Sequence, residues 1–240
     1  MIHYHGTPVS GPRMDIVRFL RGRHALVPFP RQDDIGLVAD VCQSFVFDNG
    51  AFSIWKKGGQ LDVPGYTRWV EDWHRHPGFD WALIPDVIDG NEADNDALIR
   101  DWPRHLAGVP VWHMHESIGR LQGLAVDWPI VALGSSGEWP TPGTKGWWKR
   151  MGDALAAICD TAGRPICRLH GLRMLNPKVF TKMPLASADS TNASVNAGSL
   201  GRFGTYVPPT AGQRAEVIAA RIEQYNSAPT WQPDGMKEID

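Results

Sequence analysis

Three acidic residues occupy positions where they could do chemistry. Asp48, Asp86 and Asp189 each close or directly follow a short apolar run of the sequence. A carboxylate at the end of a buried segment costs free energy unless it has a partner or a chemical task. Ionised carboxylates can attack an electrophilic carbon, exchange protons, or accept N–H hydrogen bonds. The three residues therefore predict an acidic active site, although Asp189 alone could instead cap the helix that follows it.

The elements that must position these acids alternate along the chain. Eight short runs are almost continuously apolar, as is typical of parallel strands buried on both faces: Ile2–His5, Ala25–Pro28, Ser44–Asp48, Trp81–Pro85, Val109–His113, Ile130–Leu133, Ile166–His170 and Leu185–Asp189. Helical spacing follows several of them, in Val63–His76, Glu92–Leu106, Glu116–Val126, Lys145–Ala162 and Ala211–Tyr225. The alternation predicts an α/β fold with a single (β/α)8 TIM-type barrel over residues 1–226 and a loosely ordered tail over 227–240.

An open doubly wound sheet is the alternative fold. It would need a glycine-rich phosphate loop after the first strand, and His5-Gly6-Thr7-Pro8 does not have that pattern. The length of 240 residues is ordinary for one α/β barrel. In such barrels the catalytic groups lie just beyond the carboxyl ends of the strands, so the three aspartates would meet on one rim.

Other polar and small residues occupy the same strand ends. Asn49, Gly50 and Phe52 follow the third run, Gly134 and Ser135 follow the sixth, and His170 and Gly171 close the seventh. Glycines leave room for a flat ligand, Phe52 could stack on it, and the carboxylate of Asp86 could accept two N–H bonds from a guanine-like edge. His113 and His115 beside Asp86 could alternatively bind a metal, as could His3 and His5, but a structural histidine is the commoner case.

The composition limits the classes of function. The net charge of −2 is not that of a duplex-binding domain, so a nucleic acid would need a local basic surface. Two clusters are candidates: Arg13, Arg18, Arg21 and Arg23, which we interpret as a solvated face, and Lys145, Trp147, Trp148, Lys149 and Arg150. The three cysteines form neither a disulfide framework nor a zinc comb. Without a signal peptide or a membrane-length apolar run, the sequence predicts a cytoplasmic protein.

Several segments resemble the tRNA-guanine transglycosylases, also called queuine tRNA-ribosyltransferases. The segment 48–52 reads Asp-Asn-Gly-Ala-Phe and resembles the Asp-Ser-Gly-Gly-Phe/Tyr signature of that family. The segment 131–135 is similar to its Ala-Val-Gly-Gly-Leu strand, and the segment 169–172, followed by Asn176-Pro177, to its seventh strand. Asp189 falls where the family has its nucleophilic aspartate.

The resemblance implies an exchange of bases with no cofactor. Asp189 would attack C1′ of a guanosine and form a covalent glycosyl-enzyme, and a free 7-deazaguanine such as preQ0 would then replace guanine. Asp48 would act as general acid and base, Asp86 would recognise the base edge, and Phe52 would stack on the ring. The remaining binding residues would be Asn49, Gly50, His113, Gly134, Ser135, His170 and Gly171. The nucleic acid would contact Lys145, Lys149, Arg150, Arg173 and Arg202.

The sequence also departs from that family. No cysteine follows Cys167, so the zinc site of three cysteines and a histidine is missing, and Ser190-Thr191-Asn192 replaces the family's Cys-Val-x-Pro-Thr-Arg. The chain is closer to the short zinc-less relatives of phages and bacterial DNA-modification clusters, which favours DNA over tRNA as the substrate. A barrel hydrolase acting on a sugar or a free nucleoside would use the same carboxylates, and a non-catalytic binding barrel is the third hypothesis.

Overall fold

The computed structural model describes residues 1–7 and 13–233, without the side chains of Arg13 and Ile16. Within these residues every strand pairing of the single sheet is parallel. The strands are β1 (Ile2–Gly6), β2 (His24–Pro28), β3 (Ser44–Asp48), β4 (Phe79–Leu83), β5 (Gly108–Val109), β6 (Val111–His113), β7 (Ile130–Gly134), β8 (Arg168–Gly171) and β9 (Ser187–Ser190). Their order is β5-β4-β3-β2-β1-β9-β8-β7-β6.

Pro110 joins the two ends of this order. β5 pairs with β4 and β6 pairs with β7, so the two short strands are halves of the single predicted strand Val109–His113. Proline lacks the N–H that a continuous ladder needs, but the Pro110 carbonyl still accepts from the Ala132 N–H at 2.9 Å. The sheet therefore has eight strand positions around a nearly closed ring, and the predicted (β/α)8 TIM-type barrel is confirmed.

The helices alternate with the strands. They are α1 (Arg13–Leu20), α2 (Ile35–Val41), α3 (Ala51–Trp55), α4 (Val63–Trp73), α5 (Glu92–Asp101), α6 (Ile118–Asp127), α7 (Lys145–Ile158), α8 (Pro177–Phe180), α9 (Asn192–Asn196) and α10 (Ala211–Glu223), with 3-10 turns at Phe29–Asp34 and Leu200–Arg202. The five predicted helices are present but shorter. Helix α7, for example, ends at Ile158 because Cys159 is extended and bridges to Pro165. None of these helices is long and apolar enough to cross a membrane.

Alternation along the strands divides the buried side chains between two cores. One core fills the barrel and consists of Tyr4, Leu26, Val46, Trp81, Leu83, Val109, Val111 and Ala132. The other and larger core lies between the strands and the surrounding helices. Because successive residues of a strand point to opposite faces, Asp48 two residues after Val46 lies on the inner face, at the carboxyl rim.

The segment that follows α10 is packed where we predicted a loosely ordered tail. Trp231 is buried, and its backbone N–H donates to the Gly163 carbonyl at 2.7 Å. Gly163 has a φ of 75°, and a Cβ there would collide with the Trp231 backbone. The prediction is therefore wrong around Trp231, because this large apolar side chain is buried and its backbone packs directly against Gly163, which has no side chain. Residues 234–240 lie outside the described part of the chain.

Candidate active site

A cleft of about 720 Å³, partly open to solvent, lies at the carboxyl ends of the strands. Most of the residues predicted for the site line it together: Asp48, Asn49, Phe52, Asp86, His113, Gly134, Ser135, Arg173 and Asp189. Apolar side chains complete the wall, namely Ala51, Leu83, Ile88, Pro140, Pro142 and Leu172. The three aspartates thus converge on one cavity on one rim, as the strand-end argument required.

The turn after β3 is built by its own side chains. The Gly50 N–H donates to Asp48 Oδ1 at 2.9 Å, and the Ala51 N–H donates to Asn49 Oδ1 at 2.8 Å. Gly50 has a φ of 77°, and a Cβ there would collide with the Pro30 ring. Gly50 therefore serves the backbone of the turn that starts α3 and is not among the residues that line the cleft.

Among the carboxyl groups of the described residues, Asp48 has the pKa that lies furthest from its ordinary value. Burial is the main cause, and the negative charges of Asp189 and Asp86 add to it. The Gly50 hydrogen bond, the second-largest influence, and the positive charge of Arg173, the smallest, act in the opposite direction but do not outweigh burial. The pKa of Asp48 is raised from 3.8 to about 7. A carboxyl group with such a pKa can both donate and accept a proton near neutral pH.

Two side chains hold Asp86. The Asn49 amide donates to its Oδ1 at 2.7 Å, and His113 Nε2 bonds to its Oδ2 at 2.8 Å. A second bond, from the Asn49 amide to the Ile84 carbonyl at 3.1 Å, fixes the orientation of that amide. An ionised carboxylate has about four lone-pair positions, so each oxygen of Asp86 keeps one acceptor position for a ligand.

Asp189 is held at one oxygen. Its Oδ1 accepts from the Arg173 N–H at 2.9 Å and faces His170 Nε2 at 3.3 Å. His170 is fully buried in the barrel, and its Nδ1 bonds to the Ser187 hydroxyl at 2.8 Å. Among the described residues no hydrogen bond reaches Asp189 Oδ2. The arrangement fixes the carboxylate while leaving that oxygen available for attack. His170, predicted to bind substrate, instead positions Asp189 from below.

Arg173 combines a strained backbone with a position over the cleft. Its φ is 58°, in the left-handed region that non-glycine residues rarely adopt. Its guanidinium carbon lies 4.2 Å from the centre of the Phe52 ring, a cation–π contact. One face of the Phe52 ring, which was predicted to stack on a base, is therefore covered by Arg173. A base would have to displace the guanidinium or use the opposite face.

Gly134 at the end of β7 and Gly171 at the end of β8 have different surroundings: the first faces the cleft and the second faces the core. Gly134 lines the cleft, and a Cβ there would approach His113 Nδ1 to 3.2 Å. Gly171 is buried, and a Cβ there would meet Leu185 at 2.8 Å and Met174 at 3.0 Å. The prediction that Gly171 gives space to a ligand is therefore wrong, because the space belongs to the packing of the core.

The histidine pairs considered as metal ligands are engaged elsewhere. His115 bonds through Nδ1 to the Ser136 hydroxyl at 2.9 Å and through Nε2 to the Gly90 carbonyl at 3.0 Å. His5 Nε2 bonds to Glu223 at 2.9 Å, and His3 Nε2 to the Tyr225 carbonyl at 3.0 Å. In the described part of the chain no three histidine, cysteine or acidic side chains are grouped to hold a metal ion.

The predicted basic cluster of α7 is divided between core and surface. Trp147 and Trp148 are buried, and the Trp147 indole N–H donates to the Ser135 hydroxyl at 2.9 Å. Arg150 donates to the Met114 and Glu116 carbonyls and lies over the rings of Trp112 and Trp139. Arg150 therefore has structural partners, and its contact with a nucleic acid stays a prediction. Lys145 and Lys149 remain exposed.

The other predicted basic residues lie away from the cleft, with one exception. Arg202 is exposed on the second 3-10 turn and does not line the cleft, whereas Arg173 does. In the early arginine cluster, Arg18 pairs with Glu216 at 3.3 Å and Arg23 with Glu223 at 2.8 Å. The side chain of Arg13 lies outside the described residues.

Some contributors to the site were not predicted from the sequence. Ser187 orients His170, the backbone N–H of Arg173 holds Asp189, and Pro140 and Pro142 form part of the wall. Ser187 stands two residues before Asp189 on the same strand face, and this spacing could have indicated it. Comparison of the chain with protein-family models, with curated proteins and with solved structures finds no match.

Proposed function

We propose that this barrel is a base-exchange glycosyltransferase that replaces guanine in a nucleic acid, DNA in preference to tRNA, with a free 7-deazaguanine base such as preQ0. The observation that carries the proposal is the convergence of Asp48, Asp86 and Asp189 on one cleft with unequal environments. One acid has a pKa near 7, one has an oxygen without a protein partner, and one offers acceptor positions. Different environments for neighbouring acids are how enzymes assign different roles to them.

The first half of the reaction breaks the glycosidic bond. Asp189 Oδ2 forms a bond to C1′ of the target nucleoside as the C1′–N9 bond breaks, and the bonding electron pair leaves with the purine. The proton of Asp48 neutralises the departing base. Capture of the oxocarbenium-like carbon by a carboxylate divides one difficult step into two easier ones. The products are free guanine and a covalent ester between the sugar and Asp189.

The second half reverses these bonds with the new base. The deprotonated Asp48 takes a proton from N9 of the 7-deazaguanine, whose nitrogen attacks C1′ and releases Asp189. Asp86 recognises both bases by the same edge, because its two remaining acceptor positions match the ring N–H and the exocyclic amine of a guanine-type base. The target nucleotide must leave its stack to enter the cleft, which is easiest in a loop or a single strand.

The test is an exchange assay with single-stranded DNA and a tRNA transcript in parallel. Each is incubated with several 7-deazaguanine bases, digested to nucleosides and analysed by mass spectrometry. We expect a modified nucleoside from DNA. Asp189→Asn should lower its formation by about 10³-fold or more, with no covalent adduct on a denaturing gel. The matched control is Asp80→Asn, because Asp80 lies at the opposite rim, where it accepts from Tyr4 at 2.7 Å. Absence of product with every base and both nucleic acids would refute the proposal.

A hydrolase of free nucleosides is the second candidate. The division of the α7 cluster favours it, because Trp147, Trp148 and Arg150 do not contribute to a basic approach to the cleft. The same three acids would then deliver Asp189-bound sugar to water instead of to a base. Release of free sugar and base from guanosine or deoxyguanosine, with no exchange into polymers, would select this candidate.

A further inference from the structure

A second cavity adjoins the carboxylate cleft. It encloses about 800 Å³, partly open to solvent, and its walls are mainly apolar, with Ile54, Trp55, Leu61, Val87 and Leu98 among them. The two cavities share Ala51, Asp86 and Ile88 as lining residues. We refer to the second cavity as the Trp55 groove. Because of these shared residues, the groove lies directly beside the proposed catalytic site.

The groove presents an aromatic ring to solvent and is followed at once by positive charge. Trp55 ends α3 with 46% of its surface exposed, which is unusual in a protein that buries most of its tryptophans. Lys56 and Lys57 follow, both exposed, and in the described part of the chain their ammonium groups make no hydrogen bond or ion pair, although their backbone N–H groups donate to Phe52 and Ile54. The nearest acid in sequence, Asp62, accepts from the Gly65 N–H at 2.9 Å as the cap of α4. The turn thus keeps two uncompensated cations beside an exposed indole.

The aromatic surface extends from one cavity into the other. Phe52 lines the carboxylate cleft, Trp55 lines the groove, and their ring centres are 5.9 Å apart at 42°. Both rings lie on the single short helix α3. An aromatic side chain and neighbouring lysines are the combination with which proteins hold single-stranded nucleic acid, since every base has a π-face and every nucleotide a phosphate.

We infer that the Trp55 groove binds a nucleotide that flanks the target guanosine in a single strand. Its base stacks on Trp55 and the adjacent phosphates contact Lys56 and Lys57. The inference rests on the proposed function, because it assumes a nucleic acid polymer as the substrate. It explains how a protein of net charge −2 can hold such a polymer. Positive charge is needed only along the few nucleotides beside the cleft.

Binding of a fluorescently labelled 12-nucleotide single-stranded DNA with one guanine, measured by anisotropy, tests the inference. The parent protein carries Asp189→Asn so that no exchange occurs during the titration. Trp55→Ala should weaken binding about 5- to 100-fold, and Trp55→Phe should restore most of it. Lys56→Ala with Lys57→Ala should reduce the slope of log affinity against log salt by about 1.4. Arg75→Ala with Arg104→Ala, which removes two exposed charges near the other ends of the strands, is the control and should change neither.

Replacement of each nucleotide by an abasic residue locates the contact. At one flanking position the abasic substitution should weaken binding to the parent protein. The same substitution should not weaken binding to the Trp55→Ala protein any further, as expected if that base and Trp55 contact each other. Equal binding by the Trp55→Ala and parent proteins, or no binding by the parent, would overturn the inference. If base exchange occurs but these variants bind DNA as the parent does, the inference about the groove is overturned and the proposed function is not. Coupled binding without any exchange would sustain it and count against the proposed chemistry.

Discussion

Asp48 and Glu223 are both partly buried carboxyl groups, and their pKa values move in opposite directions. Burial raises the pKa of each, but at Glu223 hydrogen bonds from His5 at 2.9 Å and Arg23 at 2.8 Å outweigh it and lower the value to about 2. Asp48 has no bonded cation and stands near two further acids, so its pKa rises to about 7. The barrel gives Glu223 on α10 two side-chain partners, His5 on β1 and Arg23 just before β2, and gives Asp48, which lines the cleft, no bonded cation.

The difference separates a structural carboxylate from one kept for chemistry. Reactive groups in an enzyme often lower its stability. Acids with strongly shifted pKa values are found preferentially at functional sites. If Asp48 were structural, its replacement by a neutral isostere would weaken the fold without any catalytic effect. If it is catalytic, the same replacement should stabilise the protein and abolish its activity.

Between these two acids, the larger effect on activity should come from Asp48→Asn in the exchange assay. The asparagine keeps the acceptor for the Gly50 N–H but cannot transfer a proton, so we expect product formation to fall about 10²- to 10⁴-fold. In the unmodified protein, release of guanine in a single turnover should decline as the pH rises through about 7, because the proton donor is lost. A release rate that is flat from pH 5 to pH 9 would remove Asp48 from the mechanism.

Glu223→Gln should have the largest effect on stability. It leaves Arg23 partly buried without its carboxylate, so we expect a loss of about 1–3 kcal/mol in urea unfolding at pH 7. A lowered pKa contributes stability above the ordinary value of 4.5 that disappears as the pH falls toward 2. The deficit of the variant should therefore shrink in acid. Exchange activity per folded molecule should stay unchanged, and a comparable loss of activity would contradict the division between the two acids.

The effect of Asp48→Asn on stability has the opposite sign. A raised pKa means that the folded state binds a proton which the unfolded state has lost, so the stability of the native protein falls between about pH 4 and pH 7. At pH 8 the variant should be more stable by about 1–3 kcal/mol, and the difference should shrink as the pH falls and vanish below about pH 4. A variant that is less stable at pH 8 would indicate a structural role and favour a binding barrel.

The parts of this comparison that are local in sequence could be predicted. The apolar runs and the aspartates at their ends predicted the barrel and placed Asp48, Asp86 and Asp189 on one rim, because parallel strands present their carboxyl ends together. The turn Asp48-Asn49-Gly50 was not predicted as a turn, although it too is local, since its side chains bond to its own backbone. These features depend on neighbours a few residues away or on a repeating pattern.

The parts that depend on distant partners could not be predicted. Glu223 meets His5 across 218 residues, and the pKa of Asp48 depends on Asp189 in another part of the chain. The α7 cluster was misinterpreted because contiguity in sequence was taken as contiguity on a surface, whereas a helix turns Trp147 and Trp148 into the core. The left-handed backbone of Arg173 has no sequence signal, because glycine or asparagine is the usual residue there.

Arg173 offers the smallest and most specific test of the comparison, because it is the cation that acts on Asp48 without bonding to it. Removal of its charge should move the alkaline decline of single-turnover release upward by less than about one pH unit. Arg173→Gly and Arg173→Ala both lose the guanidinium and keep the N–H that holds Asp189, but only glycine accepts a φ of 58° without strain. Arg173→Gly should therefore unfold at higher temperature, with an advantage of about 1 kcal/mol over Arg173→Ala. Equal melting temperatures would show that the backbone at this position relaxes. A decline that moves to lower pH would show that the guanidinium does not act on Asp48 through its charge.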